Sequence, residues 1–336
     1  MIASTPVARW TWGRDQDIDD QVAECFLGLS AVHSVLVERR LAVRGESATI
    51  SIPAYGNPGN QLFQGKVDLG VHASAEDMEN LVREVKARTA PGKIASVEAY
   101  ITCAGVLLDG NGEHIEGKVF SLGVSAMTDF FSVQLQTYTD AWMPYDLKGR
   151  RQSDVYAANY PRLAAVLRDI SEVLDAETDP DDPTWFGKPT ETGVDNYFEE
   201  DGSASDVWGS FEIPYRYRVF HHPQGFEPSG YARSASGQVE YVPVVGERGV
   251  LGYLWASDAD DAASYEPRKA AEDEGYEAGL RWLERLQQAK EHGLRPSEAL
   301  SEFSALPVTE GLGRVQREAA KVAIDLATLR ELASKS

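Results

Sequence analysis

The side chains best placed to do chemistry lie in one stretch, residues 172–212, which contains the run ETDPDDPTWFGKPTETGVDNYFEEDG. It carries thirteen carboxylates, among them Asp179, Asp181, Asp182, Glu199, Glu200 and Asp201, against the single base Lys188. Trp185, Phe186, Tyr197, Phe198 and Trp208 are interleaved with them. Carboxylates at this density can hold a hard cation, exchange protons as general acids and bases, or steer a positively charged partner. Large aromatics add anchors to a docking surface, and they serve equally to pin a loop onto its own domain. A purely solvating acidic loop has little use for them. A surface that docks a basic protein partner is therefore expected, built on Asp179, Asp181, Asp182, Trp185, Phe186, Glu199, Glu200 and Asp201.

The other chemistries are weaker. Asp201-Gly-Ser-Ala-Ser-Asp206 alternates oxygen-bearing side chains but lacks the glycine and distal glutamate of a calcium-binding loop, and Asp179, Asp181 and Asp182 do not match that order either. No metal or other cofactor is expected. GxSxG, HExxH, GxxxxGK[ST] and GxGxxG are all absent. Glu84-Val-Lys86, following Asp68, resembles part of a nuclease metal site. Met78, Leu81, Val82 and Val85 place it on a helix instead, as a solvated face. His221 and His222 are adjacent, so on a strand they would point to opposite faces. His33, His72, His114 and His292 are scattered and pair with no nucleophile. Cys25 and Cys103 have neither CxxC nor Cys/His spacing and read as small buried hydrophobes of a reduced protein. Asp140-Ala-Trp-Met-Pro-Tyr-Asp146 is an aromatic turn in which Trp142 and Tyr145 either face a partner or fold back as a corner.

These groups need a scaffold. Ile18, Val22, Cys25, Phe26, Leu29, Val32 and Leu36 recur at helical intervals, predicting a helix over about 17–40. Strands are predicted at 48–53 and 66–72 around the turn-rich PAYGNPGN, then a helix through Met78 and Val85. Extended runs follow at 95–108, 119–127 and 130–139, with DGNGEHIEG as a hairpin link, and a helix at 155–174. This order predicts an α+β fold, an antiparallel sheet covered by helices. Residues 175–202 show no periodicity, which marks a functional or disordered loop. Strands are predicted again at 207–213 and 215–220. A first domain is thus read over 1–220, a linker over 221–238, and a smaller C-terminal region over 239–336. That region is expected to hold a hairpin flanking GERG and helices at about 270–292, 297–305 and 313–333.

Composition narrows the class of partner. With 336 residues, 43% of them hydrophobic and 25% charged, the chain is long enough for about two ordinary globular domains. A formal net charge of −21 argues against nucleic acid as a partner. The charge is uneven. Residues 258–277 form a second acidic cluster, with eight acids to two bases, whereas residues 1–150 carry nineteen acids and thirteen bases. The longest strongly apolar run, 99–108, is far short of the ~18 residues of a membrane helix, and the first sixteen residues lack the apolar core of a secretory signal. A cytoplasmic protein without a membrane partner is expected.

The blocks TYTDAWMPYDLKGR, ETDPDDPTWFGKPTETGVDN, LGYLWASDADDAASY and AGLRWLERLQQAKEHGLRPSEAL resemble those of uncharacterised actinobacterial proteins grouped with polymorphic toxin systems as immunity proteins. The resemblance implies a non-enzymatic inhibitor that neutralises a toxin and identifies no functional residue by itself. A nuclease is the toxin whose cleft would be basic, because it binds phosphates. Two other readings stand beside it. One is a hydrolase or transferase using Asp/Glu acid–base chemistry. The other is an assembly component that self-associates through its C-terminal helices.

Overall fold

A computed structural model describes residues 1–69, 75–110, 112–221, 230–305 and 311–334. The chain divides into two units, Met1–Phe211 and Glu212–Ser336. The elements of the first are β1 (Ala8–Asp15), α1 (Gln21–Glu38), β2 (Ser47–Ala54), β3 (Asn57–Asp68), α2 (Ala75–Arg88), β4 (Ser96–Asp109), β5 (Gly112–Met127), β6 (Phe130–Thr137), α3 (Ser153–Leu174), β7 (Asp179–Pro180), β8 (Lys188–Thr190) and β9 (Gly193–Asp195).

Alternation along the strands sets the layers. In β4 the side chains of Ala99, Ile101 and Cys103 are buried, while Glu98, Tyr100 and Thr102 are exposed, the pattern of a sheet with one face packed and the other in water. Seven strands join in one antiparallel sheet of order β3-β2-β4-β5-β6-β1-β7, and β8 and β9 pair separately. Helix α1 starts where the Asp20 carboxylate accepts the Ala23 N–H at 3.2 Å, a side-chain cap for an otherwise orphan donor. It buries Val22, Cys25, Phe26, Leu29, Val32 and Leu36, as its spacing predicts, against β4 and β5, with α2 and α3 beside it. The α+β architecture is the one expected.

Several boundaries differ from expectation. Strand β1 lies where no element was predicted; Ala8, Trp10 and Trp12 alternate inward along it. Half of the PAYGNPGN stretch belongs to β3 and its first two residues to β2, leaving a tight turn in which Gly56 takes a φ of +75°. The GEHIEG half of the hairpin link likewise belongs to β5. His72, at the end of a predicted strand, and His222 lie outside the described residues.

The second unit contains α4 (Ile213–His221), β10 (Val239–Gly246), β11 (Gly249–Ser257), β12 (Ala262–Pro267), α5 (Glu272–Glu291), α6 (Pro296–Phe303), β13 (Arg314–Val315), β14 (Lys321–Ala323) and α7 (Leu326–Ser334). Its sheet runs β12-β11-β10-β13, with β14 also on β10. Trp282, Leu283 and Leu286 of α5 pack with Val242, Val244 and Leu254 in its core. The predicted strands at 207–213 and 215–220 are helical: a π-turn at Trp208–Glu212 runs into α4. Tyr215, Tyr217 and Val219 alternate, but Arg216 donates to Glu212 at 2.6 Å across one helical turn. The helix predicted at 313–333 is confined to α7, which begins after Asp325 accepts the Thr328 N–H at 2.7 Å; the residues before it pair with β10. Strand β12 was not anticipated. Of the predicted linker, residues 222–229 lie outside the described residues. Residues 230–238 belong to the second unit, where Tyr231 Oη donates to the Leu294 carbonyl at 2.7 Å and Ser236 Oγ to Asp260 at 2.8 Å.

Candidate functional site: an acidic, aromatic edge

Strand β1 would end the large sheet with unpaired backbone, and the acidic segment covers it. Trp10 pairs with Pro180 and Thr11 with Asp179, and the Asp181 N–H donates to the Arg9 carbonyl at 3.1 Å. Side chains extend the attachment. Thr11 Oγ1 donates to Asp181 Oδ1 at 2.8 Å, and Trp10 Nε1 to the Thr190 carbonyl at 2.7 Å. Thr184 Oγ1 donates to the Val7 carbonyl at 2.7 Å and accepts the N–H groups of Phe186 and Gly187 at 3.0 and 3.2 Å. Tyr197 Oη donates to the Thr184 carbonyl at 2.7 Å, so the turn at Thr184 and the turn that follows Tyr197 are held together. Asn196, buried, accepts from the Tyr145 N–H at 3.1 Å and donates to its carbonyl at 2.9 Å. Such bonds satisfy the backbone of an irregular segment as a ladder would satisfy a strand.

The predicted site residues fall into three groups. Asp179 and Asp182 are exposed on the edge, whereas Asp181 is half-buried and partly engaged by Thr11. Glu199, Glu200 and Asp201 are exposed on the second turn, where the Glu199 N–H donates to the Ser203 carbonyl at 2.9 Å. The aromatics divide. Phe186 is 1% exposed and Trp208 is buried, so both anchor the segment, and Phe186 cannot belong to a face. Trp185 is 55% exposed and Phe198 54%. Trp185 stacks on Phe211 with ring centroids 5.6 Å apart, and Phe198 meets Tyr145 edge-on at 5.8 Å. Phe211 is absent from the aromatics singled out in the sequence, although it lies within residues 172–212.

The charge of the edge is left uncompensated. Among the described residues no ion pair engages Asp179, Asp181, Asp182, Glu199, Glu200 or Asp201. Lys188, the only base in the segment, lies over the Tyr197 ring, 5.0 Å from its centroid. The Ser203 hydroxyl, then its N–H, hold the Asp201 carboxyl below the usual carboxylate range, so it stays ionised.

Elsewhere, Trp142 is a folded-back corner: it is buried, stacks on Phe120 at 5.5 Å and donates to Thr137 Oγ1 at 2.7 Å. Glu84 and Lys86 pair with Arg88 and Asp20 on the outside of α2, as a solvated face. Both cysteines are buried and unbridged. His33 and Cys103 were read as unrelated, yet with Glu46 they bring donor atoms within 4.8 Å of one another. Residues separated this far in sequence carry no spacing signal; the packing of α1 and the loop before β2 on β4 brings them together. No family model, curated protein or solved structure matches the chain.

Proposed function

We propose that the chain is an immunity protein that neutralises a toxin by covering a basic active-site cleft, of the kind a nuclease has, with the edge formed by residues 179–201. The observation that carries this reading is the pairing of exposed aromatics with unpaired carboxylates on an ordered backbone. Asp179, Asp182, Glu199, Glu200 and Asp201 attract the partner at long range, and Trp185 with Phe211 and Phe198 supply the desolvated anchors. Charge complementarity of this kind raises the association rate and rejects wrong partners.

The test uses the toxin domain encoded immediately beside the gene for this chain. Co-expression is expected to protect the host, with the two proteins purifying as a complex whose association rate falls steeply with salt. Reversal of Asp181, Asp182, Glu199 and Glu200 to lysine is expected to abolish protection. Binding that survives this reversal in a folded variant overturns the reading.

A further inference from the structure

Away from the acidic edge, three elements of the first unit converge on one point. His33 projects from α1, Glu46 precedes β2, and Cys103 lies on the buried face of β4. Beside them the β4–β5 ladder is irregular: Cys103 pairs with Phe120 but Gly105 with Glu116, so Ala104 alone lies opposite three residues of β5. Irregularities of this sort recur beside functional sites. Here the Ala104 N–H donates to Glu46 Oε1 at 2.6 Å. Gly105 lets the loop before β2 close on the strand, since a Cβ there would stand 2.8 Å from the Leu41 carbonyl oxygen. The Val106 N–H then donates to the Arg40 carbonyl at 3.0 Å. The other Glu46 oxygen lies 3.1 Å from His33 Nε2.

We propose that His33, Glu46 and Cys103 form a binding site for a zinc-class divalent ion. The donor set is an imidazole, a carboxylate and a thiol, the mixture that suits zinc and its neighbours rather than calcium or magnesium. Bonds of ~2.0–2.3 Å at tetrahedral angles place donors about 3.2–3.8 Å apart. The three donors already lie within 4.8 Å of each other, a gap of at most about 1.6 Å from that spacing. The Ala104 N–H orients the carboxylate from outside the ligand shell, a common support of metal ligands. Three protein donors leave one of four positions for water. His33 also lines a pocket with Ser30, Ser34, Val37, Arg44, Leu69 and Met78.

A cysteine–histidine nucleophile is the competing use of these residues. Burial first, and the neighbouring Glu46 charge second, push the Cys103 thiol well above its ordinary value. A thiol held neutral is a poor nucleophile. A metal ion displaces that proton to solvent and takes the thiolate as ligand.

The test is titration of the metal-free full chain with Co2+, followed by competition with Zn2+. One ion per chain is expected, with a thiolate-to-cobalt charge-transfer band that is absent in Cys103→Ser and unchanged in Cys25→Ser. His33→Ala is expected to weaken Zn2+ binding by at least about 100-fold, the upper range for losing a mere outer-shell partner. Glu46→Gln, which still accepts the Ala104 N–H, is expected to weaken it as well and serves if Cys103→Ser does not fold. Absence of the band, its survival in Cys103→Ser, or Zn2+ affinity unchanged in folded His33→Ala and Glu46→Gln overturns the proposal.

Discussion

Trp185 and Phe186 are neighbours in sequence with opposite surroundings, and substituting each by alanine separates anchoring from recognition. Phe186 is 1% exposed. Its removal leaves a cavity behind the turn that Thr184 closes, and truncating a buried phenylalanine costs about 3–5 kcal/mol. Trp185 is 55% exposed, and its intramolecular contact is the stack on Phe211, which is itself 39% exposed. Such a pair contributes about 0.5–1.5 kcal/mol, so Trp185→Ala is expected to cost no more than about 1.5 kcal/mol. In a complex the order inverts. An aromatic anchor loses about 2 kcal/mol or more of binding on truncation, a Kd increase of roughly 30-fold. Urea unfolding by circular dichroism gives the first pair of numbers, read as shifts of the first unit's transition because two units need not unfold together. Titration calorimetry with the toxin domain gives the second. A Trp185→Ala variant that loses as much stability as Phe186→Ala, or binds its partner as tightly as the parent, refutes the division.

Two further outcomes follow from local geometry. Gly28 lies on α1 where a Cβ would stand 2.3 Å from Cζ of Phe131; Gly28→Ala is expected to destabilise by about 1–3 kcal/mol through overpacking, against the ~1 kcal/mol that alanine gains over glycine in a helix, and a raised Tm would show that the ring yields freely. In the second unit, burial alone would raise the Asp258 carboxyl, but bonds from Ser297 Oγ at 2.7 Å and its N–H at 2.9 Å, with Arg295 at 3.7 Å, outweigh it and hold the group below the usual range. Its stabilisation is therefore complete above the unfolded value of about 3.9 and is lost as pH falls through the lower folded value. Urea midpoints taken from about pH 3 to 7 are expected to show an acid-limb fall in the second unit that is shallower in Asp258→Ala; identical profiles would remove Asp258 from that limb.

Where side chains kept a clean period, the sequence was a sufficient guide. The stripe from Val22 to Leu36 and the alternation from Ala99 to Cys103 place α1 and β4 and establish the α+β class. Strand β1 was legible in the same terms, through Ala8, Trp10 and Trp12, but its run was weighed only as a leader. Around Trp208–Phe220 two periods coexist, and the Glu212–Arg216 pair decides for the helix. The site was half legible. Charge counting found the acidic segment, but exposure separates Trp185 from Phe186, and no local pattern distinguishes two adjacent aromatics in a segment without periodicity. The His33–Glu46–Cys103 group was illegible, because its members come from a helix, a loop and a strand that only the tertiary fold brings together.

A dense set of carboxylates ordinarily keeps a loop extended and mobile, since like charges repel and water solvates them well. Here the backbone is fixed mainly by groups that carry no charge: Trp10 Nε1, Thr184, Asn196 and Tyr197 make attaching bonds, and Asp181 alone of the acids joins them, through Thr11. Cations neutralise acids elsewhere in the same unit, as Arg39 does Asp169 and Arg150 does Asp146. Within the segment Lys188 is turned onto an aromatic ring instead. Apart from Asp181, attachment and charge are thus carried by different residues, so most of the charge stays available without loosening the fold. A partner that meets such an edge finds its carboxylates already positioned and does not have to order a flexible loop, a cost that otherwise reduces the free energy of association.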